Sequence, residues 1–211
     1  MKKTFYFCLI CAFMAWSCDS NKSNNAPKQE KADTTSTAVV PTVSQSDSTQ
    51  LPTAAKSLVL PNYSVKMFKK GDINQDNIED LIVVLDTLGD DDMANRPLLL
   101  LKQDAKGTYT LAARNDKVVA CKGCGGLMGD PLAGIAIKNG FFTIEEAGGS
   151  RERWTRYVTF KFDAAQNTWL LHRIDEEMVD TINEKNNTKK VKTTKNFGKI
   201  TFDKYDSANI N

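Results

Sequence analysis

Between Gly71 and Leu81, oxygen-bearing side chains recur at alternating positions: Asp72, Asn74 and Asp76 at places 1, 3 and 5 of a short loop, then Asp80 at place 9. A tight turn brings such side chains toward one point, and the main-chain carbonyl of Ile78, at place 7, adds a further oxygen. Hard Ca²⁺ prefers this setting, with six to eight oxygens at about 2.3–2.6 Å. Asn77 holds place 6, where the chain turns sharply, and asparagine tolerates the left-handed backbone better than most residues. From Gly71 to Asn95 there are eight acids and no Lys or Arg, a cluster expected to repel itself unless a cation is present. The alternative is a solvated turn whose Asp and Asn cap their own amides, or a plain acidic rim.

Two other groups carry chemistry. Cys121-Lys122-Gly123-Cys124 has too few thiols for zinc, and Gly125 stands where haem attachment needs His. The glycine-rich run that follows does not read as a helix, so a structural disulfide is expected rather than a thioredoxin-like centre. The glycines match neither a dinucleotide fingerprint nor a P-loop. In the segment Gly148 to Tyr157, Arg151, Arg153 and Trp154 together suit an anion or a stacked sugar. Cross-strand salt bridges around a core Trp154 are the alternative. His172 is the single histidine, and no Ser or Cys motif nominates it as a base. With no catalytic constellation, the chain reads as a binding or structural module rather than an enzyme. The rival is an envelope hydrolase or CxxC thiol oxidoreductase.

The elements that must position these residues are strands. Ser57–Leu60 and Tyr63–Phe68 come first, then the continuous apolar runs Leu81–Leu85 and Pro97–Leu101 expected of central strands. Thr108–Ala113 follows. Gly134–Ile137 and Phe141–Ile144 flank Asn139-Gly140, a strong hairpin signal. Trp154–Phe162 alternates in period two and turns into Trp169–Arg173. Glu176–Glu184 suits a short helix, Lys185–Lys199 an exposed loop or polar edge strand, and Lys199–Asp203 a last strand. The expectation is a mainly β fold: one antiparallel domain of about 8–10 strands, as a sandwich or propeller-blade-like sheets.

The 211 residues carry a formal charge of +2 and 41% hydrophobic residues, which excludes a polytopic membrane protein. The balance lacks the basic excess of a nucleic-acid binder, so no nucleic-acid partner is expected. Lys2 and Lys3 precede the apolar run Phe5–Met14, too short to span a bilayer and suited to a secretory signal. The run ends at Ala15-Trp16-Ser17-Cys18, which resembles the lipobox of bacterial lipoproteins. That resemblance implies cleavage before Cys18 and a lipid on its thiol, hence a membrane partner and a cell-envelope location. Without Lys2 and Lys3 the remainder holds 26 basic and 26 acidic side chains. Asp19–Gln50 has no aromatic, Leu, Ile, Met or Gly, and reads as a solvated stalk. The divisions are therefore a signal over 1–17, a linker over 18–52 and a β-rich domain over 53–211.

Val83 stands at the twelfth place of the acidic loop, where an EF-hand or dockerin loop needs an acid. Closure by Asp80 running directly into Leu81–Val84 resembles instead the strand-loop-strand calcium site of FG-GAP (integrin alpha-type) repeats, over Lys69–Leu88 and in a single copy. Arg96–Leu101, Ala113–Asp116, Cys121–Pro131 and Gly148–Tyr157 together look like a group of uncharacterised exported bacterial proteins. That likeness implies one extracytoplasmic domain and assigns no activity. As a binding module the chain is expected to take a protein or glycan ligand of unknown identity.

Overall fold

The computed structural model describes residues 50–210, and the signal segment, Cys18 and most of the linker lie outside them. The fold is mainly β, in two antiparallel meanders. β1 (Tyr63–Gly71), β2 (Asp80–Thr87), β3 (Arg96–Gln103) and β4 (Tyr109–Val119) form one sheet in sequence order. β5 (Leu132–Lys138), β6 (Phe141–Gly149), β7 (Glu152–Asp163), β8 (Thr168–Asp180) and β9 (Thr188–Thr193) form the other. The nine strands among the described residues fall within the expected number.

The sheets share one core. Ile82, Val84, Leu98 and Leu100 of the first sheet meet Phe142, Ile144, Val158, Phe160 and Leu171 of the second. The outer face of the first sheet is covered too: Leu51, Ala55 and Tyr109 pack on Leu81, Val83, Leu85, Leu99 and Leu101. Burial on both faces explains why β2 and β3 read as unbroken apolar runs rather than alternating ones. That cover is a 3₁₀ segment, Thr53–Leu58, and not the strand expected over Ser57–Leu60. Leu51, inside the linker division 18–52, is already buried in this layer.

Two further expectations are corrected at the C-terminal end, and the polar edge strand expected there is present. Glu176–Glu184 is not helical as far as Asp180, because β8 continues through it and pairs with both β7 and β9. In that register Glu176 stands between Arg156 and Lys190, so the acids complement their cross-strand neighbours. Of the Lys-rich stretch, Thr188–Thr193 is the edge strand β9, and Thr194–Phe197 forms one helical turn, α1, with a Thr193/Asn196 capping box. Lys199–Asp203 does not close the fold as a strand. It makes only a bridge from Thr201 to Leu170 before a 3₁₀ turn at Phe202–Lys204. Phe202 and Tyr205 are both buried, three residues apart. An extended chain sends such a pair to opposite faces, whereas a three-residue turn aligns them. Phe202 lies edge-on to Phe142 and Phe160, and Tyr205 edge-on to Phe160.

Asn139 and Gly140 both take positive φ (52° and 74°), the conformation of the two-residue hairpin turn that Asn-Gly favours.

Candidate functional site

The acidic loop joins β1 to β2, and its backbone has the sharp shape anticipated. Asn77 is left-handed (φ 65°), as is Gln75 (φ 64°). Its oxygens, however, are turned onto the loop's own N–H groups. Asp72 Oδ1 accepts from the amides of Asn74, Gln75 and Asp76 (3.2, 2.6 and 3.2 Å), and Oδ2 from Asn77 (2.9 Å). Asp76 accepts from Ile78 N–H (2.9 Å) and from Asn74 Nδ2 (2.7 Å). Asp80 is fully buried and accepts from Gln103 N–H at 2.9 Å and Ile73 N–H at 3.3 Å. Burial, with Asp76 and Asp72 nearby, raises its carboxyl above the usual range even though those two amides pull it down. Among the described residues no three His, Cys, Asp or Glu side chains gather so as to hold a metal ion. The donor types suit a hard cation, but their present arrangement does not.

The base of this loop is built into the core. Ile73 is buried, its carbonyl accepts from Trp169 Nε1 at 2.8 Å, and Gln75 Nε2 donates to the Asn139 carbonyl at 3.2 Å. The eight acids do not form one cluster either. Asp86 stands six residues along β2 from Asp80, about 20 Å away at roughly 3.3 Å per residue. There Asp86 pairs with Arg96 (2.7 Å) and Asp92 with Lys122 (2.9 Å). The self-repulsion expected of a single acidic patch is therefore removed by distance and by the chain's own cations.

Arg96 is a residue that sequence reading passed over. Its buried guanidinium binds Asp86, Asp130 (2.7 Å) and the Ala120 carbonyl, tying β3 to the crossover between sheets. Cys121 and Cys124 of that crossover are disulfide-bonded, with Cα atoms 5.1 Å apart. Gly123 N–H donates to the Asp92 carbonyl at 2.7 Å. The glycines that follow serve contact with the second sheet. A Cβ on Gly148 would lie 2.6 Å from the Trp154 indole and 2.9 Å from the Gly125 Cα, so three groups meet where only hydrogen fits.

Arg151, Arg153 and Trp154, expected together, are separated. Arg151 binds Asp180 through Nε and Nη2 (3.3 and 3.1 Å), and its carbonyl accepts from Thr181. Arg151, then Asn186, hold the Asp180 carboxyl well below the usual carboxylate range. Arg153 is exposed and lies on the outer face with Thr155 and Tyr157, by the alternation of β7. Trp154 lies on the inner face, where it lines an open groove of about 390 Å³ with Arg156, Glu176, Met178, Thr188, Lys190 and other residues. Arg156 is set by Glu146, whose buried carboxylate accepts from Arg156 Nε (2.8 Å) and Nη2 and from Ala120 N–H (2.7 Å). Beneath them Tyr205 is buried, which pushes its phenol up to about 12 despite the attraction of Arg156. His172 is elsewhere, exposed and edge-on to Phe141.

Period two in β7 puts Arg156, not Arg153, on the face of Trp154 and Val158. That was the available signal. The contributions of β8 and β9 had none, because they depend on strand register. Comparison with protein-family models, with curated proteins and with solved structures returns no match to this chain.

Proposed function

We propose that this protein is a lipid-anchored, extracytoplasmic binding module that takes its ligand in the groove beside Trp154. The observation that carries the reading is the groove itself, an open cleft on the inner face of β7–β9 with an aromatic wall and charged side chains facing solvent. A shallow aromatic site with fixed polar groups is the form expected of a binding surface. The anchor is proposed on Cys18 and the residues before it, and the resemblance to exported proteins supports the location.

The loop from Asp72 to Asp80 is proposed as an FG-GAP-like Ca²⁺ site, supported by its oxygen pattern and by the left-handed backbone at Asn77. Asp72, Asn74 and Asp76, with the Ile78 carbonyl, would hold the ion after turning from the loop amides, with Asp80 joining if its buried bonds give way. Calcium there would brace the loop rather than take part in chemistry.

Two measurements test the reading. The mass of the mature N-terminus should equal a chain starting at an acylated Cys18, and an unmodified Cys18 removes the anchor. Envelope material retained on immobilised wild-type protein should be lost with Trp154→Ala. Equal retention by both removes the groove as the binding site.

A further inference from the structure

We infer that the groove recognises a neutral saccharide, with a pyranose ring stacked on Trp154; this rests on the binding reading above and names its ligand. Two rows of side chains run across the inner face at this end of the second sheet. Strand register aligns Glu146, Arg156, Glu176 and Lys190 in one row, from β6 to β9. It aligns Gly148, Trp154, Met178 and Thr188 in the next. Neighbouring rows on one face are about 7 Å apart.

The first row alternates in sign and sums to zero. A ligand of either net charge gains little from it, whereas a neutral ligand with both donors and acceptors is matched along its length. Arg156 is held by Glu146 through Nε and Nη2, so its orientation is set before a ligand arrives. Glu176 makes no ion pair among the described residues, and neither does Lys190. A carboxylate acceptor thus stands between a guanidinium and an ammonium. Vicinal hydroxyls, each both donor and acceptor, suit that row.

The second row is apolar at its centre. The indole of Trp154 rests on Gly148, where there is no side chain to displace it, and exposed Met178 stands beside it. A pyranose has the same two-sided character, with an axial C–H face to lie on the aromatic ring and an equatorial rim of hydroxyls to reach the charged row. The volume, about 390 Å³, is near the lower end of small-molecule sites, which suits one or two sugar rings.

The test is calorimetric titration of the full chain in phospholipid nanodiscs. The probes are neutral gluco-, xylo- and N-acetylglucosamine oligosaccharides, an oligogalacturonate and a neutral tetrapeptide. At least one neutral oligosaccharide should bind, and Trp154→Ala should weaken it about tenfold or more. Glu176→Gln, which keeps the shape of the site, should weaken it several-fold with an unchanged unfolding transition, and Lys161→Ala on the outer face should have no effect. Trp154-dependent binding of only the oligogalacturonate or the peptide overturns the neutral-saccharide class while leaving a groove that binds. Absence of binding by every neutral oligosaccharide at millimolar concentration also overturns it. The groove reading itself stands or falls separately, on the retention experiment with Trp154→Ala.

Discussion

The acidic loop and the Trp154 groove occupy opposite ends of the second sheet. The loop meets Trp169 and the Asn139-Gly140 turn, whereas the groove lies eight residues back along β7, about 26 Å away. By residue type the loop is the stronger site, with oxygen side chains at places 1, 3, 5 and 9 of nine residues. By partnering it is the more satisfied one, since Asp72, Asp76 and Asp80 each accept from amide N–H groups. The groove carries charges of both signs, and its Glu176 and Lys190 have no ion-pair partner among the described residues. Residue type states which chemistry a segment can do, and partnering states which of it is already used by the fold.

Substitutions should divide accordingly, loop changes altering stability and groove changes altering binding. The largest effect is expected at Asp80. Replacing it with Ala leaves the buried N–H groups of Ile73 and Gln103 without acceptors, and denaturant unfolding should show a loss of about 3 kcal/mol. A loss below about 1 kcal/mol would mean that the loop base opens to water and is not the anchor described.

Gly148→Ala comes next. Its Cβ must displace either the indole or the Gly125 backbone, so about 1–3 kcal/mol of stability should go, together with binding in the groove. Unchanged stability would mean that the contact with Gly125 is loose. Calcium sharpens the loop side of the contrast. Ca²⁺ at ten times its dissociation constant should raise unfolding stability by about 1.4 kcal/mol, and Asp76→Ala should abolish the gain. No movement of the thermal transition at millimolar Ca²⁺, in wild type as in Asp76→Ala, removes the metal site.

Acid titration gives a smaller, signed effect. The folded state holds the Asp180 carboxyl below its ordinary value, because Arg151 and Asn186 bind the ionised form. Its contribution is therefore complete above about pH 4 and is lost as pH falls toward the lower folded value. Asp180→Asn should flatten that acid limb of the melting curve. Asp80 works in the opposite sense: its raised value means that its contribution declines as pH rises through that value. The smallest stability effect is expected for Glu176→Gln, within about 0.5 kcal/mol, because the side chain makes no ion pair among the described residues. A larger loss would identify the charged row as structural and weaken its claim as a ligand surface.

Much of the architecture was legible because it depends on local patterns. Continuous apolar runs at Leu81–Leu85 and Pro97–Leu101 announced strands buried on both faces, and Asn139-Gly140 announced its hairpin. The proximity of Cys121 and Cys124 announced their bond. The misread segments are those where a partner overrides local preference. Glu176–Asp180 extends as strand because β8 is paired along it by β7 on one side and in part by β9 on the other, and Phe202 with Tyr205 bends the chain into a turn because both rings are needed in the core. Of Arg151, Arg153 and Trp154, expected together, only Trp154 lines the groove, and Arg151 is paired with Asp180.

The sequence alone determined that this chain has a β-rich domain after a signal-like and polar leading segment, because hydrophobic period, turn residues and composition act over a few residues at a time. Only the tertiary structure decided which charges are free. Asp72, Asp76 and Asp80 are bound by amides that folding brings to them, and Glu146, Arg156, Glu176 and Lys190 become a row only when four strands take one register. Register is set by the burial of the whole inner face, since a slip of one residue would expose Val158, Phe160 and Leu171 together.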